Sequence, residues 1–386
     1  MTIGDVIRLE FATASDPDTG VEVTRLTDDR GDTSSPYFTQ PLFSDDGSGL
    51  LVSSNRTGTW QAYFVELDRR RMVQLSDEPE GIRWTASAML PSRSQVVFVA
   101  GRALKRVGLD GSDLTTLYEA PPGFTLSVLS PTADGSSVVF AYIEEVALST
   151  AAGHLVAQRM ERFCRRPTSV VMRVDTGSGF ATALWGERNL ITHVNVSPVA
   201  PDIIVFCHEG PWHLVQRTWV LRASTGEVWP IILQRRACER AGHEFFTRSG
   251  RVVTEYAWRF HPNARDWINL DVFVWPDGRD HQAFRYLWDS PGPVGHNQVS
   301  WHDETLGVGD AAFPEKDFPH GRDYIGLIRY QEELARPIPL CRHDCTRQAV
   351  LGHPFPVFSP DDRCVYFNSD RAGRCDVYRV PVPTSF

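Results

Sequence analysis

The chain has 386 residues, a formal net charge of −9 and a pI near 5.7. No basic stripe supplies the phosphate neutralisation that nucleic-acid binding requires, which excludes that class of partner. With 42% hydrophobic and 11% aromatic residues, among them 11 tryptophans and 21 phenylalanines, the chain can bury a large core and reads as all-β.

In chain order, the N-terminus MTIGDVIRLEF lacks the charged start and apolar core of a signal peptide. The stretch from IRLEF to EVTRLTD has strand character but no complete unit, so it is expected to supply the missing outer strand of the last unit. From Pro36 a unit begins: PYFTQPLFSDDGSGLLVSSNRTGTWQAYFVELD. It reads as an apolar strand, a Ser-Asp-Gly turn, a β-rich strand, a polar turn and an alternating strand. Weaker copies follow at 90–92 before QVVFVAG, 130–135 before SSVVFAYI, 197–202 before IIVFCHE, 247–250 before RVVTEYAW and 301–305 before LGVGDAA. A clear last copy, HPFPVFSPDDRCVYFNSDRAGRCDVYRVPV, starts at His353 and repeats the Phe-Ser turn of residues 43–46 at 358–362. Asp bonds its own backbone in such turns and Gly accepts positive φ.

Units of roughly 40–50 residues match the blades of a propeller. The expectation is one all-β domain over 1–386, a seven-bladed β-propeller whose ring is closed by the N-terminal strand. Two insertions stand out, 144–167 and 311–323; the first carries Arg159, Arg162, Arg165 and Arg166 and is placed to roof a central pocket. Seven cysteines without a CxxC pair read as reduced thiols, and no apolar run reaches the roughly 18 residues of a membrane span. A cytoplasmic protein with no membrane partner is expected.

Four histidines, His193, His243, His296 and His353, stand before the strands of successive units at spacings of 50, 53 and 57 residues. Equivalent positions of neighbouring repeats come close in space, so the four imidazoles should meet near one axis. Gln40 has the same offset from its turn as His193 and His243, and joins them as a pocket candidate. A second cluster lies in FCHEGP, with His208 and Glu209, followed by Arg217; His243 is followed by Glu244. These residues offer bases, a fixed cation and metal donors. No GxSxG, P-loop or GxGxxG after a strand is present, which removes hydrolase-elbow and nucleotide readings.

YFTQ before the first turn, FCHEGP, Arg217, GHEFF, His296 with GVGDA shortly after, LCRH at 340–343 and HPFPVFSPDD from His353 together resemble the oligogalacturonate lyase family. The resemblance runs nearly end to end. It implies a propeller enzyme that cleaves small acidic oligosaccharides of the oligogalacturonate type by β-elimination. His243 is implied as the base that takes the C5 proton and Arg217 as the cation that holds the carboxylate. Arg165 or Arg166 would assist, and Gln40, His193, His208 and Glu209 would position the sugar. A manganese-type divalent ion is implied at His296 and His353. At that site Phe355 stands where the family pattern has a third histidine and Val350 where it has a glutamine, with Gln348 nearby but out of step. Two other readings stay open: a sugar-binding or sensory propeller without turnover, and elimination or isomerisation of another acidic or oxidised sugar.

Overall fold

The computed structural model describes residues 2–28, 30–150, 154–211, 214–235, 238–259, 268–286, 295–310, 313, 323–346 and 350–384. Strands dominate, in antiparallel meanders that follow chain order. The first joins Thr33–Ser34, Gly49–Ser54, Gln61–Glu66 and Arg71–Gln74, with Val6–Arg8 added outside. The second runs Ser87–Leu90, Gln95–Ala100, Ala103–Gly108 and Thr115–Glu119. In the third, Phe124–Leu126 and Ser130–Pro131 both pair with Ser137–Glu144, which leads to Ser169–Asp175 and Ala181–Glu187. The fourth runs Ile191–Val196, Ile203–His208, Thr218–Arg222 and Glu227–Pro230.

An eight-stranded sheet follows, made of two four-stranded meanders. One is Glu239–Phe246, Val252–Trp258, Ile268–Val274 and Gln282–Tyr286; the other is Asn297–Val299, Leu306–Gly309, Tyr324–Gln331 and Leu334–Arg342. They touch edge to edge through a short parallel pairing, Arg285 with Leu334 and Tyr286 with Ala335. The last sheet combines both chain ends: Val357–Phe358, Cys364–Ser369 and Asp376–Pro381, then Glu22–Arg25 and Ala12–Ser15.

The core lies between the faces of successive sheets. Leu51 and Phe64 pack against Met89, Val96 and Phe98; Val97 and Leu104 against Phe140 and Val174; Val139 and Val171 against Ile204 and Phe206. A strand covered on both faces loses the in-out alternation of a half-exposed sheet, and all six residues of Gly49–Ser54 are buried. The Asp turns form as the sequence suggests: Ser44 Oγ donates to Asp46 Oδ1 at 2.7 Å, Thr132 Oγ1 to Asp134 Oδ1 at 2.6 Å and Ser359 Oγ to Asp361 Oδ1 at 2.7 Å. Gly135 is required in its turn: it holds φ +64, and an added Cβ would collide with the Pro91 carbonyl.

One helix, Leu155–Arg165, departs from the all-strand expectation and sits in the 144–167 insertion. Glu161 ties it to the preceding loop by accepting from the backbone and hydroxyls of Ser149 and Thr150. Most of the 311–323 insertion lies outside the described residues. No disulfide joins the seven cysteines, and among the described residues no helix is long and apolar enough to cross a membrane.

Asp271 joins the two halves of the eight-stranded sheet. Its buried carboxylate accepts from the hydroxyls of Tyr286 and Tyr330, each at 2.6 Å, and from Asn297 Nδ2 at 3.1 Å. Asp271→Ala leaves three buried donors unsatisfied, at roughly 1–3 kcal/mol each. Urea denaturation should show a loss of about 3 kcal/mol or more; a loss below about 1 kcal/mol would mean that this junction carries no weight.

Candidate active site

His193 and His243 lie in the first strands of their meanders, Ile191–Val196 and Glu239–Phe246, while His296 immediately precedes Asn297–Val299 and His353 stands four residues before Val357–Phe358. Each first strand runs beside that of the next meander, so the four imidazoles form a row. Ring centroids are 6.1 Å apart for His193 and His243, 4.6 Å for His243 and His296, and 5.1 Å for His296 and His353. Tyr37 and Phe38 close the row on one side, with Tyr37 at 5.0 Å from His193 and Phe38 at 5.2 Å from His296.

Beneath the row lies Arg217, whose side chain has no exposed surface. Its Nε donates to the Gly242 carbonyl at 2.7 Å and to Glu244 Oε2 at 3.2 Å, and its Nη1 stands 3.4 Å from Glu209 Oε2. Burial disfavours the guanidinium charge, yet Cys207, Glu244 and Glu209 outweigh it and keep the group charged. His193 Nδ1 lies 3.3 Å from Glu244 Oε1. Burial also opposes charge on His193, but Cys207 and Glu244 push its pKa up to about 10. For Glu209, burial is likewise overcome, by Arg217, His193 and Arg159, and its carboxyl stays below its usual range.

His243 behaves in the opposite way. Burial, then the charges of His296, Arg217, His193 and Arg159, hold its pKa well below the usual imidazole value. It is therefore neutral near physiological pH. Its Nδ1 stands 3.3 Å from Glu255 Oε1, so a proton on Nδ1 leaves the Nε2 lone pair on the opposite ring edge. His296 has a similar companion: its Nδ1 lies 3.6 Å from Asp310 Oδ2. A Cβ on Gly242 would fall within 2.5 Å of Glu255 Oε2, and one on Gly295 would press equally on Asp310. The glycines before His243 and His296 thus make room for the carboxylate that stands beside each ring. Glu255 and Asp310 escaped the sequence reading. The signal was present as a repeated Gly-His dipeptide at 242–243, 295–296 and 352–353.

Several expected pocket residues take other roles. Gln40 is buried among backbone groups: its Nε2 donates to the Thr85 carbonyl at 2.5 Å and its Oε1 accepts from Leu129 N–H at 2.9 Å. It ties neighbouring sheets and offers no amide to the site. His208 points to the other strand face from Cys207 and Glu209, where its Nε2 meets Glu187 Oε1 at 2.6 Å beside Trp219. Strand alternation causes this turn away. Arg165 faces outward to Glu161 at 3.4 Å, and Arg166 ends the helix in a left-handed conformation. Of the four insertion arginines it is Arg159 that reaches the cluster, with Nε 3.8 Å from Glu209 Oε1.

The ion expected at His296 and His353 meets an incomplete set. Phe355 packs edge-on against His296 at 4.5 Å and is 6.1 Å from His353, so a hydrocarbon ring occupies the space of a third donor. Val350 begins a short 3-10 turn, and Gln348 lies outside the described residues. Two imidazoles alone make a weak site. Among the described residues, His193, Cys207 and Glu209 could hold a metal ion, their donor atoms lying within 4.8 Å of one another. Arg217 competes there, since its guanidinium already neutralises Glu209 and stands 3.2 Å from His193 Nδ1.

The family model described as oligogalacturonate lyase matches residues 1–386. The chain is 26% identical over 398 residues to the oligogalacturonate lyase of Dickeya dadantii strain 3937, covering 100% of this chain and 99% of that one. It is 27% identical, with the same coverage, to the oligogalacturonide lyase of Pectobacterium atrosepticum. Among solved structures, an oligogalacturonate lyase in complex with manganese superposes with a TM-score of 0.86 at 24% identity, covering 100% of this chain and 99% of that one. An oligogalacturonate lyase from Vibrio parahaemolyticus gives the same TM-score at 23% identity, with both chains fully covered. The chain therefore belongs to the oligogalacturonate lyase family and is a carbohydrate lyase.

Proposed function

We propose that this lyase cleaves oligogalacturonate-type oligosaccharides by β-elimination in the cytoplasm, with His243 as the base. The meanders are then the blades of one seven-bladed ring spanning 1–386. The pairing of Thr24 with Arg379 and Arg25 with Tyr378, continued by Leu26 N–H to the Val377 carbonyl at 2.8 Å, supports closure by the N-terminal strand.

The observation that carries the mechanism is a neutral imidazole beside a buried cation. The C5 proton of a uronate is α to a carboxylate and only weakly acidic. Its removal builds enolate-like charge, which needs fixed positive potential nearby. Arg217 and the charged His193 supply that potential. The C5–H bond breaks and its proton passes to His243 Nε2; its electron pair forms the C4–C5 double bond as the C4–O bond breaks, and the leaving oxygen keeps that bond's pair and takes a proton from solvent water. The same positive groups that stabilise the developing anion keep His243 unprotonated before the step. Glu255, 3.3 Å from Nδ1, lies on the ring edge opposite Nε2.

A divalent metal held by His193, Cys207 and Glu209 would need His193 without its charge, and would then supply Lewis-acid withdrawal from the carboxylate in place of that charge. A thiolate in that set suits a zinc-type ion better than manganese, the ion in the solved relative.

His243→Ala should lower kcat on unsaturated digalacturonate by at least about 10²-fold, the usual share of a positioned base, while the melting curve stays close to that of the parent. Undiminished turnover would remove His243 as the base. Phe355 holds φ +43, a backbone conformation that histidine tolerates better than a bulky ring. Phe355→His should therefore be accommodated and should tighten manganese binding at least tenfold, as titrated by electron paramagnetic resonance of the free ion. Unchanged manganese affinity would contradict the assignment of Phe355 as the residue that blocks the site.

A further inference from the structure

Two arginines act on His243, and they differ in one respect that decides what each can touch. Arg217 is fully enclosed, with its donors directed at Gly242, Glu244, Glu209 and His193. A sugar carboxylate would have to displace protein carboxylates from it and break the pairing that permits its burial. Arg159 has a half-exposed side chain and meets the same Glu209 from the solvent side, at 3.8 Å. It lies on the outward path of the cluster, because Glu209 sits between the two guanidinium groups.

The helix that carries Arg159 is held in place over this edge. Phe163, four residues on and hence on the same helix face, packs on Gly210 and Val215 neighbours: a Cβ on Gly210 would meet both side chains at 2.7 Å. The charge of Arg159 reaches both Glu209 and His243. Its loose contact with Glu209 is that of a partner a ligand can share, since a guanidinium offers five donors and a carboxylate can bind it in a fork.

Resting on the lyase reading above, we propose that Arg159, from the helical insertion, is the residue that receives the substrate carboxylate, and that Arg217 is its internal counterpart, supplying potential and order without contact. The ligand class is a uronate sugar bearing a free carboxylate.

The test is equilibrium binding by calorimetry in a His243→Ala background, which is chosen to silence turnover. Digalacturonate and its fully methyl-esterified form are compared, with Arg159 intact, as Arg159→Met and as Arg159→Lys. Arg159→Met should weaken binding of the acid at least tenfold and of the ester less than twofold, with Arg159→Lys between the parent and Arg159→Met for the acid. Since Arg159 is half exposed, folding should survive each change, and the ester serves as an internal control for pocket integrity. Equal losses for acid and ester, or no loss for the acid, would overturn the assignment to Arg159 and leave the lyase reading intact. Absence of digalacturonate binding to every protein, the parent chain included, would overturn both.

Discussion

The buried guanidinium of Arg217 is the constraint on which the rest of the site depends. An enclosed charge is tolerated only when its donors are matched, and breaking such a pairing costs several kcal/mol. Here the match comes from three places: Glu209 at the end of one strand, Glu244 and the Gly242 carbonyl in the first strand of the next meander. Satisfying Arg217 therefore fixes how two neighbouring sheets sit against each other. The register of those sheets in turn sets the spacing of His193 and His243. One electrostatic requirement links sheet packing to site chemistry.

Neighbouring charges split the behaviour of two imidazoles whose rings stack 6.1 Å apart. His193 has Glu244 at its Nδ1 and Cys207 beside it, and it is held charged. His243 has more burial than compensation: Glu255, its partner, is itself pushed well above the usual carboxylate range by burial and by Asp271 and Asp310. A cation and a neutral imidazole thus stand side by side, which is the division of labour that the proposed proton abstraction requires. Phe355 adds an apolar wall at the far end of the row, edge-on to His296 at 4.5 Å and 6.1 Å from His353.

Much of this was legible in the residues. The periodic turns gave the meanders, because Ser-Asp-Gly chemistry is local and survives any tertiary context. The spacing of His193, His243, His296 and His353 gave the row, because repeats place equivalent positions together. The assignments that failed did so where direction mattered more than position. Gln40 shares the histidines' offset, but a neutral amide can satisfy backbone groups of adjacent sheets, and it does so. His208 lies next to Cys207 and Glu209 in sequence, and for that reason points the other way in a strand. Glu255 and Asp310 come from the following strands of their own meanders, so nothing adjacent to the histidines names them except the glycine that clears their space. The arginines of the insertion could not be ranked without the helix, whose turn sends Arg165 outward and Arg159 toward Glu209.

The central claim is that His243 is a neutral imidazole at working pH because burial and neighbouring cations deny it a proton. The most direct measurement is the pH dependence of kcat/KM on digalacturonate. With its pKa lowered in the free enzyme, His243 remains an available base as pH falls through 6.5, and the acid limb should lie below that value. An acid limb at or above the ordinary imidazole value would contradict the account, because it would mean that His243 takes up a proton where the surrounding charges are said to exclude one.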